Sequence, residues 1–263
     1  MRRRVLVLAV AGFLVLAAAP LSAQAAGGAA TTGTAALPFP FVDLNVRQAQ
    51  GNQEAALSIQ LLLLLTVLAI APSILILMTC FLRISIVFDF VKRALSLQNA
   101  PPSQVLMGLA LFLTVFIMWP TLTDVYNNSL KPFGEGKMGL AEMYTNAEKP
   151  LRLFMFRQMG SDAENIRLFM SMAKLEKPAT LADVPTWVLI PAFVLHEMTV
   201  AFKIGILLYV PFIIIDMVVA STLMSMGMIM LPPVMISTPF KLILFVLVDG
   251  WGLITMQLVR SFR

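Results

Sequence analysis

The chain has 263 residues, of which 59% are hydrophobic and 13% are charged, and its mean hydropathy is +0.87. These values lie outside the usual range of soluble domains and favour a membrane protein. The formal net charge of +5 falls to +2 without residues 1–25, which hold three arginines and no acid, so no basic stripe remains to bind a nucleic acid. The single cysteine, Cys80, excludes an internal disulfide, and we interpret it as a small buried hydrophobe.

The N-terminus has the three parts of a secretory signal peptide. Three arginines precede an apolar stretch, Val5–Ala19, which is too short to span a bilayer comfortably. The Ala-Gln-Ala sequence at positions 23–25 is a small-x-small cleavage site, so we expect residues 1–25 to be removed and the mature N-terminus to lie outside the cytoplasm. An uncleaved anchor is the alternative. Residues 26–50 are predicted to form a flexible leader.

Four or five apolar segments follow within residues 51–263, which we treat as one domain. The first, Ala55–Leu82, contains no charge and is long enough to span a membrane, with a kink predicted at Pro72. Basic residues just after it are expected to hold that side in the cytoplasm. A second helix is predicted over Val105–Trp119, with Ser103 as its N-cap.

Residues 121–186 differ from the rest of the chain because they are polar, and we expect them to form a helical insert in the periplasm. The stretch Thr121–Pro185 holds eight basic and eight acidic residues, so its balanced charge does not oppose translocation. Apolar residues recur at helical spacing within Leu151–Leu175, which predicts amphipathic helices on a partner surface. These apolar residues are Leu153, Phe154, Phe156, Ile166, Phe169 and Met170.

The segment Pro211–Trp251 is apolar enough for a membrane, yet it contains Asp216, Lys241 and Asp249. A glycine, a double proline and four methionines at alternate positions also interrupt it. Ionisable groups in such segments usually face a protein partner or a water-filled path. Broken backbone at that depth is tolerated only where protein or a cavity shields it. The pattern therefore predicts the wall of a protein-lined conduit.

The topology of the C-terminal half has two interpretations. In one, three segments each cross the membrane: Trp187–Val210, Pro211–Leu231 and Phe240–Val259. In the other, the last two form a re-entrant hairpin. The charges inside these segments indicate that neighbouring subunits, rather than lipid alone, surround them.

Four sequence stretches resemble a known family. They are Met78–Pro120, Pro191–Ser221, and the later motifs MGMIMLPP and PFKLILFVLVDGW. In order and spacing they are similar to the FliP/SctR family of type III secretion export-gate proteins, across Ile59–Gly252. The signal peptide favours the flagellar branch. Three positions depart from the family pattern: Ser96 often is glycine, Ser103 is commonly asparagine, and Ile229 interrupts a methionine triplet.

The resemblance implies an all-α, membrane-associated fold in which helical hairpins form a ring-shaped oligomeric export gate. Proteins of this family form a pentameric ring, which FliR completes and FliQ surrounds, with FlhA and FlhB nearby. Unfolded flagellar subunits leave the cytoplasm through that gate. The implied location is the bacterial inner membrane at the flagellar basal body, partly in the periplasm. No cofactor and no nucleic acid are implied.

Met228, Ile229 and Met230 are the candidate constriction of that gate. Methionine often only fills irregular gaps in a core. Here, however, Gly227 and the double proline are predicted to place the three residues in a loop between helices, where a ring of copies would form a deformable apolar seal. The methionine gasket of the family corresponds to these positions.

Asp216 and Lys241 are the second candidate pair, either as gate groups or as a structural ion pair. A hairpin that turns at residues 228–229 would place them at one level. A turn centred on Pro233 would instead place Asp216 level with Asp249 or Gly250, and the pair would not form. The family has a functional acid and lysine at the matching positions.

No catalytic constellation is evident in the sequence. The His196-Glu197 pair lacks the second histidine of a zinc motif, because position 200 is valine, so we interpret it as two polar groups at a helix contact. We therefore expect no enzyme, no metal and no cofactor. The alternative function is a small solute permease or an ion channel, which would act in isolation; a membrane enzyme is disfavoured.

Overall fold

The computed structural model describes residues 52–97, 100–160, 164–176, 178, 180–228 and 231–262, and every regular element in those ranges is a helix. The predicted all-α fold is therefore confirmed for the described residues. Residues 58–263 form one compact unit, and only residues 52–57 of the preceding unit are described. The predicted signal peptide and almost the whole leader lie outside the described residues, as do Ile229 and Met230.

Nine α-helices account for most of the described chain, and we number them in chain order. They are α1 (Asn52–Leu77), α2 (Phe81–Ala94), α3 (Ser103–Val125), α4 (Lys131–Gly134), α5 (Leu140–Met159), α6 (Glu164–Met172), α7 (Thr186–Ser225), α8 (Pro233–Leu247) and α9 (Gly250–Arg260). A π-helical turn, Tyr126–Leu130, joins α3 to α4 without a break. A 3-10 turn, Leu181–Asp183, precedes α7.

Within the part of the chain that the structure describes, two helical stretches are long and apolar enough to cross a membrane, judged by length and composition. They are Ser103–Gly134 and Thr186–Ser225, and α8 with α9 would add a third if that pair, bent by 63°, is one span. Helix α1 contributes only the shorter apolar stretch Ile59–Ile74. The predicted span Ala55–Leu82 is wrong in extent, because α1 ends at Leu77.

The predicted break of the C-terminal half at Pro211 is wrong, because α7 continues through that residue. The sequence suggested separate segments Trp187–Val210 and Pro211–Leu231, but Thr186–Ser225 is one helix of 40 residues with two prolines inside it. A proline removes one backbone hydrogen bond, and an apolar environment offers no water to compete for the others. At 1.5 Å per residue the helix is about 60 Å long, roughly twice the hydrocarbon thickness of a bilayer. One upright crossing therefore leaves about half of α7 outside the lipid.

The start of α3 also differs from the prediction. Pro102, not Ser103, is the N-cap, and no side chain caps the helix. Ser103 is the first helical residue, and its hydroxyl instead accepts a hydrogen bond from the Lys92 ammonium at 3.1 Å. The helix runs beyond the predicted Val105–Trp119, since Pro120 lies inside it.

The core forms around α2, which packs between α3 and α7. Ile84, Val87, Phe88 and Val91 are fully buried there. Helices α5 and α6 cover the beginning of α7, where the ring of Phe154 lies 6.1 Å from that of Phe193.

The amphipathic pattern predicted within Leu151–Leu175 is confirmed in part. Phe154, Ile166 and Met170 are buried, and two further side chains of the set, Phe156 and Phe169, pack half-buried against the core, but Leu153 is exposed. The buried members of these apolar faces cover α7 of the same chain, and a partner surface for the exposed members stays a prediction.

Candidate functional site

The candidate site is the hairpin formed by the end of α7 and by α8. Helix α7 ends at Ser225, and Gly227 follows with φ +75°, a left-handed conformation that glycine adopts without a Cβ clash. Helix α8 begins at Pro233, where a proline needs no helical N–H partner. Glycine therefore ends one helix and the double proline starts the next, as the sequence predicted.

Asp216 and Lys241 pair across this hairpin. The Lys241 Nζ donates to Asp216 Oδ2 at 2.6 Å. The hydroxyl of Ser237, one helical turn before Lys241, donates to the other carboxylate oxygen. The contact excludes the register in which Asp216 would lie level with Asp249 or Gly250. It confirms that the two residues meet, whereas their role as gate groups stays a prediction.

The ammonium of Lys241 also joins the hairpin to the end of α2. It donates to the carbonyl of Ala94 at 3.3 Å and to the hydroxyl of Ser96 at 2.9 Å. A cation beside the last carbonyl groups of a helix is favourable because those groups lack partners and carry partial negative charge. Ser96 has φ 58°, a left-handed conformation that a glycine would adopt with less strain. Lys241 thus ties α8 to α7 and to α2.

The hairpin tip carries the methionines singled out in the sequence. Met224, Met226 and Met228 are 64%, 68% and 42% exposed. None of these three side chains is buried by the rest of the described chain. The remaining members of the predicted constriction, Ile229 and Met230, lie outside the described residues. Met228 therefore lies at the tip, and the constriction itself stays a prediction.

Asp249, the third charge of the segment, lies at the bend between α8 and α9. It has the left-handed values φ 49° and ψ 53°, and its side chain makes no capping hydrogen bond. The next residue, Gly250, packs against the ring of Phe245, which meets Trp251 edge-on with centroids 5.2 Å apart. A Cβ at position 250 would lie 2.3 Å from the Phe245 ring, so this bend requires glycine.

A buried ion pair that the sequence interpretation missed lies outside the hairpin. The guanidinium of Arg83 binds Glu197 through both Nε, at 2.8 Å from Oε2, and a terminal nitrogen. Both side chains are buried. The interpretation of Glu197 as a polar group at a helix contact is confirmed, because Arg83 lies on α2 and Glu197 on α7. The available signal was an arginine inside an apolar run, which needs a partner of opposite charge.

Neither metal chemistry nor thiol chemistry is evident at the described residues. No three potential metal-binding side chains come together in them. Cys80 is fully buried, and that burial raises the pKa of its thiol to about 12. Its Sγ contacts the carbonyl of Thr114 at 3.9 Å. The interpretation of Cys80 as a small buried hydrophobe is therefore confirmed.

Comparison with known proteins agrees with the family inferred from the motifs. The model of the FliP family matches residues 64–258. The flagellar biosynthetic protein FliP of Treponema pallidum is 62% identical over 250 residues, which cover 92% of each chain. Its counterpart in Treponema denticola is 64% identical over 224 residues, 85% of this chain and 83% of the relative. That of Bacillus subtilis is 52% identical over 219 residues, 83% of this chain and 98% of the relative. The chain therefore belongs to the FliP family.

Proposed function

We propose that the chain is a core component of the flagellar type III protein export gate. Together with FliQ and FliR homologues it would form the channel through which unfolded flagellar subunits cross the inner membrane. The observation that carries the proposal is the hairpin of α7 and α8, which is anchored at Asp216 and Lys241 and carries exposed methionines at its tip. In this proposal the chain catalyses no reaction, and partner proteins supply the energy.

The anchored hairpin suits a gate because its two ends have different surroundings. At the base, Lys241 is held by three acceptors from two other helices and the turn after α2. The tip begins nine residues after Asp216, about 14 Å further along a helix. Unbranched methionine side chains there can pack together or separate without leaving an unsatisfied hydrogen-bonding group. A fixed base with an adaptable tip is what a seal around a passing polypeptide requires.

The surface of the same hairpin supports assembly into an oligomer. Large apolar side chains along both helices are more than half exposed, among them Leu207, Met217, Met235, Phe240 and Leu247. Exposed apolar side chains in this number mark contacts with protein or with lipid. Since α7 is about twice as long as the hydrocarbon layer is thick, lipid alone does not cover it. We therefore propose a ring of like subunits, a pentamer, near FlhA and FlhB homologues and partly in the periplasm.

The proposal is tested by isolating the full chain with and without FliQ and FliR homologues. We expect a defined ring that contains several copies of this chain, and loss of flagella and motility in cells that lack it. A permease or ion channel would instead conduct a solute when the chain alone is reconstituted in vesicles. A functional transporter made of this chain alone, in cells that still build flagella without it, would overturn the proposal.

A further inference from the structure

The residues that follow α9 lie against α2 and α5 and are held there by polar side chains. Arg83 donates from one terminal nitrogen to the Ser261 carbonyl at 3.0 Å and to the Ser261 hydroxyl at 3.1 Å. Gln158 on α5 donates to the Phe262 carbonyl at 3.0 Å. The Phe262 ring is buried and lies 4.0 Å from the Arg83 guanidinium carbon. Two consecutive residues therefore make three hydrogen bonds and a cation–π contact with α2 and α5.

We propose that Arg83, Gln158 and Glu197 form a docking site for Ser261–Phe262, the two residues before Arg263, which we call the C-terminal pair. This docking fixes the end of α9, and with it the arm formed by α8 and α9 (Pro233–Arg260), on α2 and α5. We call these three residues the C-terminal docking site. The ligand it accepts is a peptide segment with a hydroxyl at its first position and an aromatic ring at its second. No role in export or in the hairpin is needed for this proposal.

The hydrogen bonds of Arg83 explain why the site needs the C-terminal pair. Glu197 accepts from Nε and from one terminal nitrogen of the guanidinium, and Ser261 supplies both acceptors for the other terminal nitrogen. Among the described residues, no buried side-chain nitrogen or oxygen lacks a partner. Arg83 is only 2% exposed. Without Ser261, donors of its guanidinium would lose their acceptors, which is costly away from water.

The position of α9 explains what the docking does. The helix follows a bend of 63° after α8, and the bend occurs at the left-handed residue Asp249. Ile254 and Leu258 bury apolar surface from α9, but such contacts have no preferred direction. The bonds to Ser261 and Phe262 set its position. Lys241 anchors α8 near its middle, and the docking site anchors the end of α9.

The first test is a double-mutant cycle in the purified full complex, with the thermal unfolding midpoint as readout. Ending the chain after Arg260 is expected to lower the midpoint by roughly 4 °C or more, and Gln158→Ala in the full-length chain by about 2 °C. In the shortened chain, Gln158→Ala is expected to have almost no further effect, because its acceptor is gone. Arg157→Ala, at an exposed neighbouring position, is the matched control and is expected to leave the midpoint unchanged in both lengths.

A second readout serves if the shortened chain does not accumulate. Trypsin cleaves after arginine, so the bond between Arg260 and Ser261 reports on whether the C-terminal pair is docked. In native membranes, intact-mass measurement is expected to show that Gln158→Ala speeds loss of the residues after Arg260 about fivefold over the parent and over Arg157→Ala. The proposal is overturned if parent and Gln158→Ala are cut at the same rate, or if Gln158→Ala lowers the midpoint equally in both chain lengths.

Discussion

The side chains of Lys241 and Asp216 lie 2.6 Å apart but differ in exposure, with 1% of the lysine and 30% of the aspartate accessible. The positive member of the pair is enclosed by α2, α7 and α8, whereas the negative member reaches the surface of the hairpin. Removing one charge is therefore not equivalent to removing the other.

Asp216→Ala is expected to destabilise the assembled protein more than Lys241→Met. The first change leaves a buried ammonium with only a carbonyl and a hydroxyl, at an expected cost of about 3–5 kcal/mol in unfolding free energy. The second fills a similar volume and leaves a carboxylate that water and Ser237 can still solvate, so it costs less. Thermal unfolding of the purified complex measures both. Asp89→Ala is the control, because its pair with Arg93 is exposed and is worth about 0–1 kcal/mol.

The gate hypothesis adds a functional expectation for the same pair. Asp216→Ala or Lys241→Ala is expected to impair export more than it lowers the amount of assembled complex. Export per complex is obtained from secreted flagellar subunits and from the complex recovered from the same cells. Equal losses of both would assign the pair a purely structural role.

Two opposing effects on stability are expected at Ser96, a favourable hydrogen bond and an unfavourable backbone conformation. Its hydroxyl accepts a bond from a charged donor, worth about 1.5–3 kcal/mol, while its left-handed backbone costs a non-glycine residue about 1–2 kcal/mol. Ser96→Ala loses the bond and keeps the strain, whereas Ser96→Gly loses the bond and relieves the strain. At the central values of these two ranges the lost bond outweighs the relieved strain, so unfolding midpoints are expected to fall in the order parent, Ser96→Gly, Ser96→Ala. Equal midpoints for alanine and serine would show that the hydroxyl contributes nothing.

The all-α fold could be predicted because apolar runs of helical length are recognisable in the sequence even when their packing partners are not known. The register of the hairpin was not, since moving the turn by a few residues changes which charge faces Asp216 and leaves the composition unaltered. The contact with Lys241 decides it. The continuity of α7 through Pro211 was equally hidden, because the penalty for a proline depends on whether water can reach the backbone.

The pair of Arg83 and Glu197 was missed for another reason. Their positions differ by 114 residues, and no local pattern links α2 to α7. An unpaired arginine in an apolar run indicates that a partner exists, but only the packing of the two helices identifies it. The same holds for Gln158 and Phe262, which are 104 residues apart.

Gly205→Ala is expected to lower stability although alanine favours helices. A Cβ on Gly205 in α7 would lie 2.5 Å from the ring of Phe90, which itself meets Phe202 edge-on. Overpacking of this kind costs about 1–3 kcal/mol, more than the roughly 1 kcal/mol gained from helix propensity. Gly108→Ala in α3 is the matched control, because its Cβ would meet nothing within 4 Å, and it is expected to raise the midpoint. Midpoints that rise for both variants would contradict the close approach of α7 to α2.

Cys80 is expected to resist thiol reagents between pH 7 and 9. Burial raises the pKa of its thiol to about 12, so the group stays protonated and unreactive throughout that range, and it begins to ionise only as the pH approaches the raised value. An uncharged maleimide is expected to label the native complex slowly and the denatured chain fully. Thr145→Cys, at an exposed position on α5, controls for access of the reagent. Rapid native labelling of Cys80 would show that the packing of α2 against α3 opens.

Met228, Ile229 and Met230 are expected to form the closed constriction of the gate. Met228 lies at the tip of the hairpin after Gly227, with 42% of its surface exposed, and in a ring the tips of several copies would meet. Methionine side chains have low rotational barriers and no hydrogen-bond demand, so they can pack into a dry plug and part again. Replacing both Met228 and Met230 with alanine is therefore expected to leave the ring assembled but permeable to ions or small solutes.

Conductance or dye uptake across the inner membrane measures that leak, and the amount of recovered ring shows whether assembly is intact. Met172→Ala is the matched control, because this methionine is also exposed but lies on α6, away from the hairpin. It is expected to leave the membrane tight. A shortened side chain at a true constriction must open a path for water. A double alanine variant that assembles and remains as tight as the parent would therefore show that the two methionines have only a packing role.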